Sequence, residues 1–195
     1  MKASLRSLRA KALALSRRRS VQIAVPVGLA VIIGTVVLLL VSSNDNDQSK
    51  TSSRPEAVAA SIPQLQALAR TVRHSIYWAG ERAGYTHELT RTRDGSTYVR
   101  YLPPGVQLGD KRADFLTVGT YVERNAIGAV RRIARHKRAF SKTLRGGALA
   151  ASTPSKPESV YVARPHSDLL AEVYDPSPAR ARQLVTSGAL ELVGR

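Results

Sequence analysis

The chain has 195 residues, no cysteine, 30 Lys and Arg against 14 Asp and Glu, and a formal net charge of +16. Without cysteine it has no disulfide, no thiolate nucleophile and no cysteine metal site, and its length leaves room for one compact domain beside an N-terminal segment rather than two independent cores. The charge is unevenly placed: seven basic residues and no acid lie in positions 1–20, leaving 23 basic against 14 acidic residues, or +9, for the remainder.

Residues 1–20 read as a basic cytoplasmic tail, in which Leu5, Leu8, Ala12 and Leu15 are spaced to form one apolar face on the inner leaflet. Val21 to Val41 follows with no charged side chain. About twenty apolar residues at a rise of about 1.5 Å each cross a hydrocarbon layer of about 30 Å, so this stretch predicts a single transmembrane helix. Pro26, Gly28 and Gly34 are compatible with it, because lipid offers the backbone no alternative hydrogen-bond partner. Basic flanks stay inside, which places residues 42–195 outside the membrane. A cleaved signal peptide is the competing reading, with Val41 and Ser43 at the small-residue positions, but its apolar region usually runs only about 7 to 15 residues. Small residues four apart, Ala24 with Gly28 and Ala30 with Gly34, would let two copies pack as a homodimer.

Residues 42–54, rich in Ser, Asn, Asp and Gln, read as a flexible linker, and 55–195 as the outer domain. Leu65, Leu68, Val72 and Ile76 recur at helical spacing, predicting a helix over about 62–75 that starts at Ser61 and Pro63. Thr86 to Thr92 and Ser96 to Leu102 predict a hairpin turning at Asp94 and Gly95. With those two as the whole loop, Thr92 faces Thr97, Thr90 faces Val99 and Glu88 faces Tyr101, while Leu89, Tyr98 and Leu102 share the other side. A third strand is expected over 115–122, and a helix over 126–137 capped by Asn125. Residues 141–157 read as a loop in which Ala148 to Ala151 offer a short strand. Ser159 to Arg164 and Leu169 to Tyr174 predict a second hairpin. Ser177 as cap, Pro178 and Gly188 outline a last helix before a strand over 189–193. The expected class is therefore α+β: an N-terminal transmembrane helix followed by one outer domain with a mostly antiparallel sheet and two to three helices.

Signals of chemistry are sparse. His74, His87, His136 and His166 are not paired at metal-ligand spacing, and a zinc site needs three or four converging ligands. His166, Ser167 and Asp168 are neighbours and cannot form a nucleophilic triad from one strand, and no strand-to-helix elbow is present. Gly146 and Gly147 lack the spacing and the lysine of a phosphate loop. No catalytic residue, metal or cofactor is expected. Trp78 reads as packing where the first helix meets the hairpin, with an exposed anchor as the functional alternative. The strongest signal is eight basic residues between Arg124 and Arg145 with no acid among them. Charge runs on helices are usually solvated faces; as a binding surface, Arg131, Arg132, Arg135 and Arg138 would hold anions.

The turn Tyr77 to Gly80, the strand Tyr98 to Pro103 and the segment Val173 to Ser177 carry a resemblance. Over residues 60–195 the chain resembles uncharacterised single-pass membrane proteins of bacteria with a Tyr-Trp-Ala-Gly turn, such a hairpin and a Val-Tyr-Asp-Pro-Ser segment. The resemblance implies no known activity and transfers no functional residue. The expected partners are the lipid bilayer and either an anionic envelope polymer or another membrane protein; topology argues against nucleic acid. The expected function is an outer binding or envelope-organising domain, with an enzyme acting on an envelope polymer and a sensor subunit of a membrane complex as alternatives.

Overall fold

The computed structural model describes residues 57–194. Ten strands and three α-helices run in the order β1 (Val58–Ala59), α1 (Ile62–Val72), β2 (Ile76–Trp78), β3 (Thr86–Arg91), β4 (Thr97–Leu102), β5 (Thr117–Val122), α2 (Ala126–Ala134), β6 (Phe140–Thr143), β7 (Leu149–Thr153), β8 (Lys156–Ala163), β9 (Leu169–Tyr174), α3 (Pro178–Ser187) and β10 (Glu191–Val193). Eight strands form one sheet in the order β1-β3-β4-β5-β9-β8-β7-β6, antiparallel at every pairing; β2 and β10 form a separate antiparallel pair.

The expected class needs correction. Among the described residues no helix is long and apolar enough to cross a membrane. The longest, α1, has 11 residues, about 16 Å against the roughly 30 Å of a hydrocarbon layer. The segment 21–41 lies outside the described residues, as do the tail 1–20 and the linker 42–54. What the described residues show is a mostly antiparallel sheet domain with three helices.

The large sheet is two meanders, β3-β4-β5 and β6-β7-β8-β9, joined where β5 pairs β9 and connected in sequence through α2. Strand alternation gives each face its own cover. On one face, α1, α3 and the β2-β10 pair pack over Val99, Val118, Val160 and Val173, with Leu65 and Ile76 fully buried. Each such side chain contributes about 1.5–3 kcal/mol by leaving water. On the other face, α2 sets Ala126 and Val130 against Ala151, Tyr161, Ala163 and Leu170.

Local chemistry sets the ends. Ser61 Oγ accepts from Gln64 N–H, and α1 stops at Arg73, whose φ of 61° leaves Ile76 to begin β2. Asn125 Oδ1 accepts from Gly128 N–H at 3.1 Å; a Cβ on Gly128 would strike that same Asn125 side chain, so the glycine is what admits the cap. The helix ends at Ala134, short of the expected Lys137. At α3 Ser177 stands at the expected N-cap position but makes no side-chain cap bond; Asp175 Oδ1 instead accepts from Ser177 N–H at 2.8 Å and from Arg180 Nε at 2.9 Å.

The first hairpin is shifted by one residue from the expected register. Thr92 N–H donates to Ser96 O and Gly95 N–H to Thr92 O, making Arg93, Asp94 and Gly95 a three-residue loop with Gly95 at φ 89°. The Asp94 carboxylate accepts from Thr92 Oγ1 and from Ser96 N–H and Oγ. Leu89 therefore faces Val99 and His87 faces Tyr101 on the core side, while Thr90 faces Tyr98. The stretch expected as a loop over 141–157 holds most of β6 and all of β7.

Candidate functional site

The four arginines predicted to bind anions stand together on and just after α2. Arg131 and Arg132 lie in its last turn, Arg135 is its C-cap, and Arg138 follows at a φ of 61°. All four are exposed. The amphipathic pattern explains why: Ala126, Ala129 and Val130 turn toward the sheet, which leaves the arginines on the solvent side. Arg124, Lys137, Lys142 and Arg145 are exposed as well. Among the described residues none of these eight cations has a salt-bridge partner; the three ion pairs there are Arg100–Glu88, Arg112–Asp110 and Arg180–Asp175. Cations in the last turn sit favourably against the helix dipole, contributing about 0.3–1 kcal/mol each. Their number at one end of the sheet nevertheless concentrates positive potential there.

The remaining sequence candidates resolve differently. Trp78 is 2% exposed and stands edge-on to His87 with ring centroids 6.0 Å apart, so it is core and not an exposed anchor. His87 in turn stands 5.0 Å from Tyr101, whose hydroxyl accepts from Ala79 N–H at 2.6 Å and ties the 77–80 turn to β4. Burial, opposed by the Glu81 charge and aided by that of Arg82, pulls the His87 imidazole below its ordinary value. His166, Ser167 and Asp168 form the turn between β8 and β9, where Ser167 Oγ accepts from Leu169 N–H and Asp168 O from Glu123 N–H. Among the described residues no group of three His, Asp or Glu side chains converges as metal ligands.

A buried polar centre was missed from the sequence. On the α2 side of the sheet one row runs Thr90, Tyr98, Gly119, Glu172 and Tyr161 across β3, β4, β5, β9 and β8. Glu172 is 2% exposed. Tyr121 O–H donates to its Oε2 at 3.0 Å, while Oε1 has no partner in hydrogen-bonding geometry among the described residues. Burial pushes the Glu172 carboxyl up; the hydroxyls of Ser159, Tyr121 and Tyr161 and the charge of Lys156 work the other way without offsetting it. Burial first, then the Glu172 charge, pushes the phenols of Tyr121 and Tyr161 up as well. The ring of Tyr98 meets Tyr121 edge-on at 5.8 Å. Glu172 sits between Ala171 and Val173 in a strand buried over four of its six residues, and that isolated acid in an apolar run was the one signal available.

Beside it, Glu88 and Arg100 pair at 2.6 Å with side chains 2% and 13% exposed. Arg100 also donates to Asp110 O at 2.9 Å and Arg112 O at 2.7 Å, and Glu88 Oε2 accepts from Gly109 N–H. Phe115 lies under both Arg100 and Arg112, 5.2 Å and 5.0 Å from their guanidinium carbons. The 103–116 loop is thereby pinned over β3 and β4.

Compared with protein-family models, with curated proteins and with solved structures, the chain matches none.

Proposed function

We propose that this domain is a non-enzymatic binding module of the cell envelope, which holds phosphate- or carboxylate-bearing polymers or headgroups on the α2 surface. The observation that carries the reading is that eight exposed cations within 22 consecutive residues have no salt-bridge partner among the described residues. Unpaired cations keep their field available to an external anion and attract it over roughly the 10 Å Debye length of 0.1 M salt. The location rests on sequence alone: the uncharged run 21–41 after a basic tail places the domain at the outer membrane surface.

The test uses the full-length chain and a variant in which Arg131, Arg132, Arg135 and Arg138 are replaced by Gln. Retention on immobilised polyphosphate and co-sedimentation with phosphatidylglycerol vesicles are followed across a salt series. The native chain should release at higher salt than the variant, and the arm showing the larger difference distinguishes polymer from lipid headgroup. Identical release in both arms removes α2 as the binding surface.

A further inference from the structure

β6 is the terminal strand of the large sheet, with β7 on one side and no strand on the other among the described residues. Leu144 N–H donates to Ala148 O at 2.7 Å, and Lys142 faces Ala150 and Phe140 faces Ser152 in the same register. Hydrogen-bonded and non-bonded pairs alternate along an antiparallel ladder. Phe140 and Lys142 therefore turn their peptide groups to β7, while Ser141 and Thr143 turn N–H and C=O outward. Two donors and two acceptors along a fixed extended edge form a template for another strand. The edge is held in place from behind, because Phe140 packs against the core and carries the Arg182 guanidinium 5.1 Å from its ring centre.

Charge decides what that edge accepts. Arg138 precedes β6, Lys142 lies within it and Arg145 follows it, all exposed and without an acid between Arg124 and Arg145. A lysine on an edge strand ordinarily guards against association, and here it does so against a second copy, since pairing two β6 edges would bring both sets of cations together. An acidic strand meets the opposite field. We propose that the β6 edge takes up an extended acidic peptide segment of a partner protein by strand addition, with backbone bonds to Ser141 and Thr143 and carboxylates against Arg138, Lys142 and Arg145. This names the partner of the cationic surface and rests on the anion-binding reading above.

The experiment measures binding of a labelled peptide of alternating Glu and Val to the full-length chain by fluorescence anisotropy. It is repeated with the same peptide methylated on alternate backbone nitrogens, and with Ser141→Pro, which deletes one outward donor and no bond to β7. Strand addition predicts that methylation and Ser141→Pro each weaken the peptide roughly tenfold, while polyphosphate retention is the same for Ser141→Pro and the native chain. Equal affinity for the plain and methylated peptides, or polyphosphate retention without peptide binding, overturns strand addition and leaves the cationic surface standing. Failure of both peptide and polyphosphate to bind overturns both. Self-association abolished by Ser141→Pro assigns the edge to a second copy and overturns the proposal.

Discussion

Gly119 and Glu172 face each other across β5 and β9, and the missing side chain of the first is what lets Tyr121 reach the second. A Cβ on Gly119 would stand 2.8 Å from the Tyr121 hydroxyl and 3.0 Å from its ring. Gly119→Ala should therefore displace the tyrosine and cost about 1–3 kcal/mol. Tyr121→Phe alone should cost about 1–1.5 kcal/mol. Because both changes remove the same contact, the double variant measured by urea denaturation should cost less than their sum.

Stability should fall as pH rises through the Glu172 transition. Its folded-state carboxyl titrates above the unfolded one, so between the two values the native state binds more protons and the slope of unfolding free energy against pH is negative. This contribution is fully present below the unfolded value and is lost as pH climbs to the folded value. Each unit of displacement corresponds to about 1.4 kcal/mol. Glu172→Gln, which keeps the shape and the polarity, should flatten that slope and gain on the native chain at the alkaline end. Denaturation midpoints between acid and alkaline pH check it, and parallel curves for both proteins would contradict it.

Removing Arg100 should free the 103–116 loop. Arg100→Leu leaves Glu88 buried without its cation, a loss of about 3–5 kcal/mol for breaking such a pair. Arg100→Lys should restore only part of it, because the guanidinium bridges Glu88 and the carbonyls of Asp110 and Arg112 at once. Amide hydrogen exchange should show faster exchange at Gly109, whose N–H donates to Glu88, in both variants, and more so in the first.

Tyr101→Phe should loosen the 77–80 turn. The substitution deprives the buried Ala79 N–H of its acceptor, which costs about 1–3 kcal/mol. Since Trp78 meets His87 edge-on and His87 meets Tyr101 in the same way, the indole fluorescence should shift to longer wavelength if the turn opens. An unchanged spectrum and stability would show that the turn is held by packing alone.

Elements with a local cause were legible in the sequence. α2 announced itself through Asn125 and the spacing of Ile127, Val130 and Ile133, and the exposure of its arginines followed from that same stripe. The β3-β4 hairpin was legible from Asp94 and Gly95, yet its register slipped because Asp94 binds Thr92 and Ser96 and so draws Arg93 into the loop. One residue of slip exchanges the two faces of a strand, which hid the core-facing pair His87 and Tyr101. Short strands such as β1, β2 and β6 carry no pattern of their own and exist because distant partners supply their hydrogen bonds. Glu172 became a site only through the register of four strands, which no local spacing encodes.

The pairing of β2 with β10 joins Ile76 to Val193 and Trp78 to Glu191. As the polypeptide is synthesised, β2 therefore waits for more than a hundred further residues before its strand partner exists, whereas each meander can zip with neighbours already made. Loop closure of that length is entropically slow, so the small pair should form after the meanders, and a chain stalled on the ribosome before residue 191 would lack Leu192 and Val193 from the roof of the core.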